Sequence, residues 1–177
     1  MIPFPDKKYN VIVVDPPWQL KKLTHKARPN QVGFDYPTMS CEEISTLPIQ
    51  DITGNNCWCF LWTTQKYLTN AMEIIKDWEF NHLFTMVWEK TYGRSSGMPL
   101  YGFRWNAEFI VVGVNFKPQI WQKGKPLIPM VFQAPNIGHS IKPQKFYDLI
   151  NGLGNTRLDM FAREHKEGWD AWGDEVC

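Results

Sequence analysis

Apolar and polar positions along the chain fall into short blocks. Tyr9-Asn10-Val11-Ile12-Val13-Val14 is a nearly unbroken β-branched run, the pattern of a strand buried on both faces of a parallel sheet. It stops at Asp15-Pro16-Pro17, because proline cannot donate to a ladder. A long polar stretch then runs to Tyr36. Ser40, with Glu43 three residues on, reads as a capping box that opens a short helix near Glu42 to Leu47. Cys57 to Trp62 alternates as a strand. Thr63-Thr64 then opens a helix whose apolar residues Leu68, Ala71, Met72, Ile75 and Trp78 recur at three- and four-residue steps. Phe84 to Trp88 and Phe109 to Val114 are further strands, separated by the glycine-rich loop Thr91-Tyr92-Gly93-Arg94-Ser95-Ser96-Gly97. Pro143 suits the first residue of a helix through Phe146, Ile150 and Leu153, where a missing N–H costs nothing. Arg157 to Phe161 is the last strand. Strands alternating with helices predict a three-layer α/β/α sandwich around a mainly parallel sheet, in one domain over residues 1–177.

Composition narrows the class. With 177 residues, 44% of them hydrophobic and 21% charged, the chain has enough apolar surface for a full core, which excludes a disordered tail, a collagen-like repeat and a solenoid. The longest apolar stretches, Val11 to Val14 and Phe109 to Val114, fall far short of the ~20 residues of a bilayer span. The opening Met1-Ile2-Pro3-Phe4-Pro5-Asp6-Lys7-Lys8 lacks an apolar signal core, so a cytoplasmic location is expected. Cys41, Cys57, Cys59 and Cys177 read as free thiols, and no Cys or His follows Cys57-Trp58-Cys59 at metal-finger spacing, so no metal is expected.

Charge is more informative by segment than in total. The net +1 conceals three stretches without an acid: Pro16 to Phe34 with Lys21, Lys22, Lys26 and Arg28; Lys90 to Ala107 with Lys90, Arg94 and Arg104; and Phe109 to Tyr147 with Lys117, Lys123, Lys125, Lys142 and Lys145. Each alone also reads as a solvated lysine-rich loop; brought to one face, they would form an anion platform that tracks phosphates. Nine tryptophans point the same way. Trp18, Trp88, Trp105, Trp121, Trp169 and Trp172 have polar neighbours, and some of these rings are expected to offer flat faces to bases while others fill the core.

Candidate chemistry concentrates at Asp15-Pro16-Pro17-Trp18, directly after the most buried strand, where ligands bind in open α/β sheets. Two locked φ angles fix a carboxylate, the Pro16 carbonyl and a flat ring close together. Such a trio can grip an exocyclic amine, Asp15 and the Pro16 carbonyl each accepting one N–H while Trp18 stacks on the base. A turn that merely ends a strand, with Trp18 as core filler, is the alternative.

With these residues the chain resembles the MT-A70-like, DPPW-type N6-adenine methyltransferases, and the bacterial and phage members in particular. Tyr36-Pro37-Thr38-Met39-Ser40 looks like that family's Y-x-T-M segment, Phe60-Leu61-Trp62-Thr63-Thr64 its F-L-W-x-T strand and Trp88-Glu89-Lys90 its W-x-K. Glu108 through Gly113-Val114 resembles E-x-x-x-x-G-V, and His139-Ser140-Ile141-Lys142-Pro143 resembles H-S-x-K-P. Phe161-Ala162-Arg163 and Gly168-Trp169-Asp170-Ala171-Trp172-Gly173 are similar to its C-terminal blocks. So many short matches in order far exceed a lone motif.

The resemblance implies a Rossmann-like methyltransferase sandwich with circularly permuted motif order, S-adenosylmethionine as cofactor, and methyl transfer to N6 of adenine in DNA. It implies a catalytic set of Asp15, Pro16, Pro17 and Trp18. For the donor it implies Asp15, Lys142, Asp159, Phe161, Arg163, His165, Asp174 and Glu175, with the lysine pairing the donor carboxylate and the acids accepting from ribose hydroxyls. Substrate contacts are expected from Trp18, Lys21, Lys22, Lys26, Arg28, Tyr36, Lys90, Arg94 and Arg104, the partner being nucleic acid and the active form a monomer or homodimer. RNA as the substrate, and a non-catalytic nucleic-acid-binding subunit, are the alternatives; the intact Asp15-Pro16-Pro17-Trp18 argues against the second. A dinucleotide-binding oxidoreductase is excluded by the lack of G-x-G-x-x-G after the first strand.

Overall fold

The computed structural model describes residues 3–19, 37–91, 99–100, 103–119, 127–138 and 141–176, with the backbone alone at 99, 100 and 104. Nine strands are assigned among them: β1 (Tyr9–Val14), β2 (Thr53–Thr63), β3 (Asn81–Thr91), β4 (Pro99–Leu100), β5 (Phe103–Arg104), β6 (Ala107–Val114), β7 (Val131–Pro135), β8 (Arg157–Met160) and β9 (Asp170–Trp172). Three α-helices accompany them: α1 (Cys41–Ser45), α2 (Leu68–Asp77) and α3 (Gln144–Ile150). Seven strands form one sheet in the order β7-β3-β6-β2-β1-β8-β9, and β4 and β5 pair in a separate two-stranded sheet. β1 pairs in parallel with both β2 and β8, and β3–β7 and β8–β9 are also parallel. Within the seven-stranded sheet, β6 alone of the described strands runs against its neighbours, β2 and β3. The first strand of the chain thus lies beside β8, near the end of the chain, as the permuted order requires.

Alternation along the central strands builds the core on both faces. Ile12 and Val14 of β1 and Leu61 of β2 pack with Ile44, Ala71, Ile75 and Trp78 on the α1/α2 side. Val11, Val13, Phe60, Trp62, Ile110 and Val112 face Phe146, Tyr147 and Ile150 of α3. With both faces covered, β1 can afford almost no polar residue, which is why it reads as an apolar run. Ser40 closes the expected capping box: its hydroxyl accepts from the Glu43 backbone, and the Glu43 carboxylate accepts from Ser40 N–H.

Several expectations shift. β2 begins at Thr53 rather than Cys57, and Pro143 is the cap residue of α3 rather than its first residue. The strand expected over Arg157 to Phe161 ends at Met160, because Phe161 turns to φ 59°. It is not the last strand, since β9 follows.

The tryptophans correct the compositional argument. Trp18, Trp62, Trp78, Trp88 and Trp169 are buried, whereas Trp105 is 52% exposed. Most of the described indoles therefore build the core rather than offer faces to bases. Trp121 lies outside the described residues. No helix among the described residues is long and apolar enough to cross a membrane, and Cys41, Cys57 and Cys59 are free thiols.

Candidate active site

β1 ends between two parallel neighbours, β2 on one side and β8 on the other, so the segment after Val14 emerges at the carboxyl edge of the sheet. Asp15 N–H still reaches Met160 O at 3.3 Å, which ties the carboxylate-bearing residue to the end of β8. The chain then tightens around Pro17, where Trp18 N–H donates to Pro16 O at 2.8 Å in a three-residue turn that proline's fixed φ favours. The Pro16 carbonyl is thus already engaged, and it retains its second lone pair for another donor. Pro17 O takes Met39 N–H at 2.8 Å, which pins the segment leading into α1 against the motif.

Trp18 is placed differently from the open stacking platform expected of it. It is 7% exposed, lies on Tyr67 with centroids 5.0 Å apart, and donates its indole N–H to Trp62 O at 2.9 Å. One ring face is covered by Tyr67, and the side chain ties the end of β1 to the end of β2.

By alternation Asp15 continues the α3-facing series Val11, Val13, and Glu108 continues the series Val112, Ile110 of β6. Lys142, just ahead of α3, enters between them, with Nζ 2.9 Å from Asp15 Oδ2 and 3.1 Å from Glu108 Oε2. That ammonium lies 4.7 Å from the Trp62 ring centre. Lys90 pairs with the other oxygen of Glu108 and lies over Trp88. The result is an alternating chain of half-buried charges, Asp15, Lys142, Glu108 and Lys90. Burial pushes the Asp15 carboxyl above the usual carboxylate range, and the adjoining Lys142 opposes that rise. Burial works against the charge on Glu108 as well, but Lys142 and Lys90 together outweigh it and hold its carboxyl below its ordinary value. For Lys142 burial favours the neutral amine, and the two carboxylates reverse this and raise its pKa.

Two residues expected at ligands make ion pairs within the chain. Lys142, read as a partner of the donor carboxylate, is held by Asp15 and Glu108; Lys90, read as a phosphate contact, is held by Glu108. Glu108 is the site residue that sequence reasoning missed. It appeared only as a motif letter, because nothing local shows that it faces a lysine 34 residues away.

On the other side of β1, Asp159 of β8 stands in register with Val13. It is 5% exposed and accepts from Tyr147 Oη at 2.8 Å. Burial pushes its carboxyl up to about 6, against the lowering effect of the tyrosine hydrogen bond. Phe161 follows in the left-handed region and packs edge-on against Trp172 of β9. A Cβ at Gly173 would lie 2.8 Å from Ala162 O, so only glycine lets the chain after β9 close on the turn after β8. Arg163 Nε and Glu175 Oε1, 3.5 Å apart, link the same two turns, and His165 and Asp174 are exposed on them. These turns fit a nucleoside-type donor in their chemistry. A buried carboxylate keeps acceptor capacity for hydroxyl or amine groups, Glu175 and Asp174 add further acceptors, and Phe161 supplies an aromatic surface.

Lys21, Lys22, Lys26, Arg28, Tyr36 and Arg94 lie outside the described residues, as does the side chain of Arg104. The platform expected from the three basic segments therefore rests on the sequence.

The MT-A70 family model matches residues 9–175. Among curated proteins the chain is 29% identical to the Type II methyltransferase M.MunI of Mycoplasma sp, over 97% of this chain and 79% of that protein. It is 28% identical to the mouse N(6)-adenine-specific methyltransferase METTL4, over 96% of this chain and 38% of the relative. The N6-methyladenosine RNA methyltransferase MTA1 of Cryphonectria parasitica is 27% identical, over 95% of this chain and 52% of the relative. The chain thus spans most of the first of these and about half or less of the other two.

Proposed function

The chain belongs to the MT-A70 family and is an adenine-N6 methyltransferase, and from that premise we propose that it methylates the exocyclic amine of adenine in DNA with S-adenosylmethionine as donor. The observation that carries this reading is the Asp15 carboxylate at the carboxyl end of β1, paired with Lys142 and followed directly by Pro16, whose carbonyl accepts from Trp18 N–H. DNA is favoured over RNA by extent, since the chain spans 79% of a bacterial Type II methyltransferase and 52% of the fungal RNA enzyme.

The amine lone pair of adenine is delocalised into the ring, which makes it a poor nucleophile. Asp15 and the free lone pair of Pro16 O would each accept one of the two N–H protons, which favours a tetrahedral nitrogen and returns the lone pair to the amine. Lys142 favours the charged, accepting form of Asp15 against its burial. These groups are fixed before substrate arrives, so their contribution is preorganised electrostatics and positioning. S-adenosylmethionine, when bound, supplies an electrophilic methyl group; Asp159, Phe161, Arg163, His165, Asp174 and Glu175 would hold it. No strong general base is required, because a methylated amine is acidic and sheds its proton readily.

The test is incubation with labelled donor and duplex DNA, single-stranded DNA or RNA of one sequence, followed by nucleoside analysis. Label in N6-methyldeoxyadenosine is expected. Label in RNA alone would move the substrate to RNA, and no label from a folded protein that binds the donor would overturn the reading.

A further inference from the structure

Four of the described tryptophans satisfy their indole N–H on a backbone carbonyl: Trp18 on Trp62, Trp78 on Ser45, Trp88 on Ala134 and Trp172 on Pro3. Trp62 is fully buried, and its Nε1 has no acceptor among the described residues. The Thr64 hydroxyl is likewise buried without a partner. Buried polar groups in folded proteins are almost always paired, so two unpaired ones within three residues call for an explanation. Thr64 keeps extended backbone, φ −99° and ψ 166°, so it and Trp62 fall on one face of the strand end. That is the α3 face, which also carries Asp15 and Glu108, and the Lys142 ammonium that bridges those two carboxylates sits 4.7 Å from the Trp62 ring centre.

Topology decides which ligand these atoms serve. β1 separates the two sides of the site: Asp159 lies on β8 and the other donor candidates Phe161, Arg163, His165, Asp174 and Glu175 lie on the turns after β8 and β9. Trp62 and Glu108, by contrast, lie on β2 and β6, and Thr64 directly follows β2. With Asp15 at the centre, the β2 side is left for the base.

Resting on the proposed adenine methylation, we propose that Trp62 is a base-reading residue whose indole N–H donates to a ring nitrogen flanking the target amine, N1 or N7. Adenine is then recognised by two amine donors, taken by Asp15 and Pro16 O, and one ring acceptor, taken by Trp62. A base with a carbonyl in place of the amine presents the wrong pattern and is refused. The Thr64 hydroxyl, able to donate or accept, adds a second polar point on the same wall.

The test compares kcat/KM on a DNA oligonucleotide containing the adenine that the wild-type protein methylates with the same strand carrying 1-deazaadenine or 7-deazaadenine there. Each analogue removes one ring acceptor and keeps the amine. The wild type is expected to lose roughly tenfold or more on one of them, the effect of leaving a buried donor unpaired. Trp62→Phe should lose a similar factor on adenine, no longer distinguish adenine from that analogue, and bind donor as the wild type does by calorimetry. Benzothienylalanine at position 62, which keeps the indole outline with sulfur in place of N–H, should behave as Trp62→Phe does, and it preserves the packing if phenylalanine does not. Equal use of adenine and both analogues by the wild type would overturn the proposal. So would wild-type discrimination in either variant, the outcome if the N–H rests on the Phe146 ring, whose centre is 4.9 Å from that of Trp62. A wild-type protein that binds donor and methylates no adenine would overturn the activity itself, and this reading with it.

Discussion

Asp159, proposed as a donor contact, is a buried carboxyl whose titration would tie donor binding to pH. Its ordinary value is 3.8, and in the folded chain it stands at about 6. Between those values the folded state holds a proton that the unfolded state has released. The contribution to stability is therefore complete below about pH 4 and lost as pH rises through 6, by an amount on the order of 2–3 kcal/mol. Asp159→Asn can still accept from Tyr147 and does not titrate. The melting temperature of the wild type relative to Asp159→Asn should fall from pH 4 to 6 and level off above; parallel curves would mean that the carboxyl is not held in this way. Donor affinity of the wild type should strengthen over the same interval, because only the ionised form accepts from every donor that faces it.

At the scale of elements, the loop ahead of α3 meets the sheet through Lys142, which separates the carboxylates of β6 and of the residue after β1. Lys142→Met leaves Asp15 and Glu108 facing one recess without the ammonium between them, Lys90 remaining paired to Glu108. A loss of about 3–5 kcal/mol in urea denaturation is expected near neutral pH. The loss should be smaller at pH 5 than at pH 8, since protonation relieves the stranded carboxylates; a loss independent of pH would make Lys142 a packing residue.

Element type was legible wherever burial left a one-dimensional mark. β1 reads directly because both its faces are covered, and α2 because Ala71 and Ile75 recur on its buried side. β7 left no such mark: it is a five-residue edge strand, exposed at alternate positions and ending in proline. β9 has only three residues. Strand direction is equally silent, since Phe109 to Val114 looks the same parallel or antiparallel, yet β6 opposes both neighbours. For the site, Asp15 was legible as a carboxylate at a strand end, whereas the partners of Lys142 depend on a long-range approach that no local pattern encodes.

Across the whole molecule, β1 lies between β8 and β9 on one side and β2 and β6 on the other, so that under the proposed function the donor would sit on the β8 side and the target base on the β2 side of the Asp15 segment. Under the proposed function nucleic acid would draw on charge outside this cluster, because Lys90 and Lys142 are paired with Glu108 and Asp15. The acid-free stretch from Pro16 to Phe34 is the nearest such charge in sequence. Neutralising Lys21, Lys22 and Lys26 together should weaken binding about equally for different sequences. It should also flatten the salt dependence on duplex DNA by up to about 0.9 per lost contact. A changed methylation motif with an unchanged salt slope would assign these lysines to base reading.

The proposed transfer depends above all on Asp15 as the acceptor of the amine. The most direct measurement is single-turnover transfer of labelled methyl to DNA by Asp15→Ala, with donor affinity measured on the same preparation. Glu108 remains to pair Lys142, so the fold and donor binding should survive. The rate of N6-methyldeoxyadenosine formation should fall by at least ~10²–10³, the usual cost of losing one preorganised electrostatic partner. Transfer within a few-fold of wild type by a variant that binds donor normally would contradict the role given to Asp15.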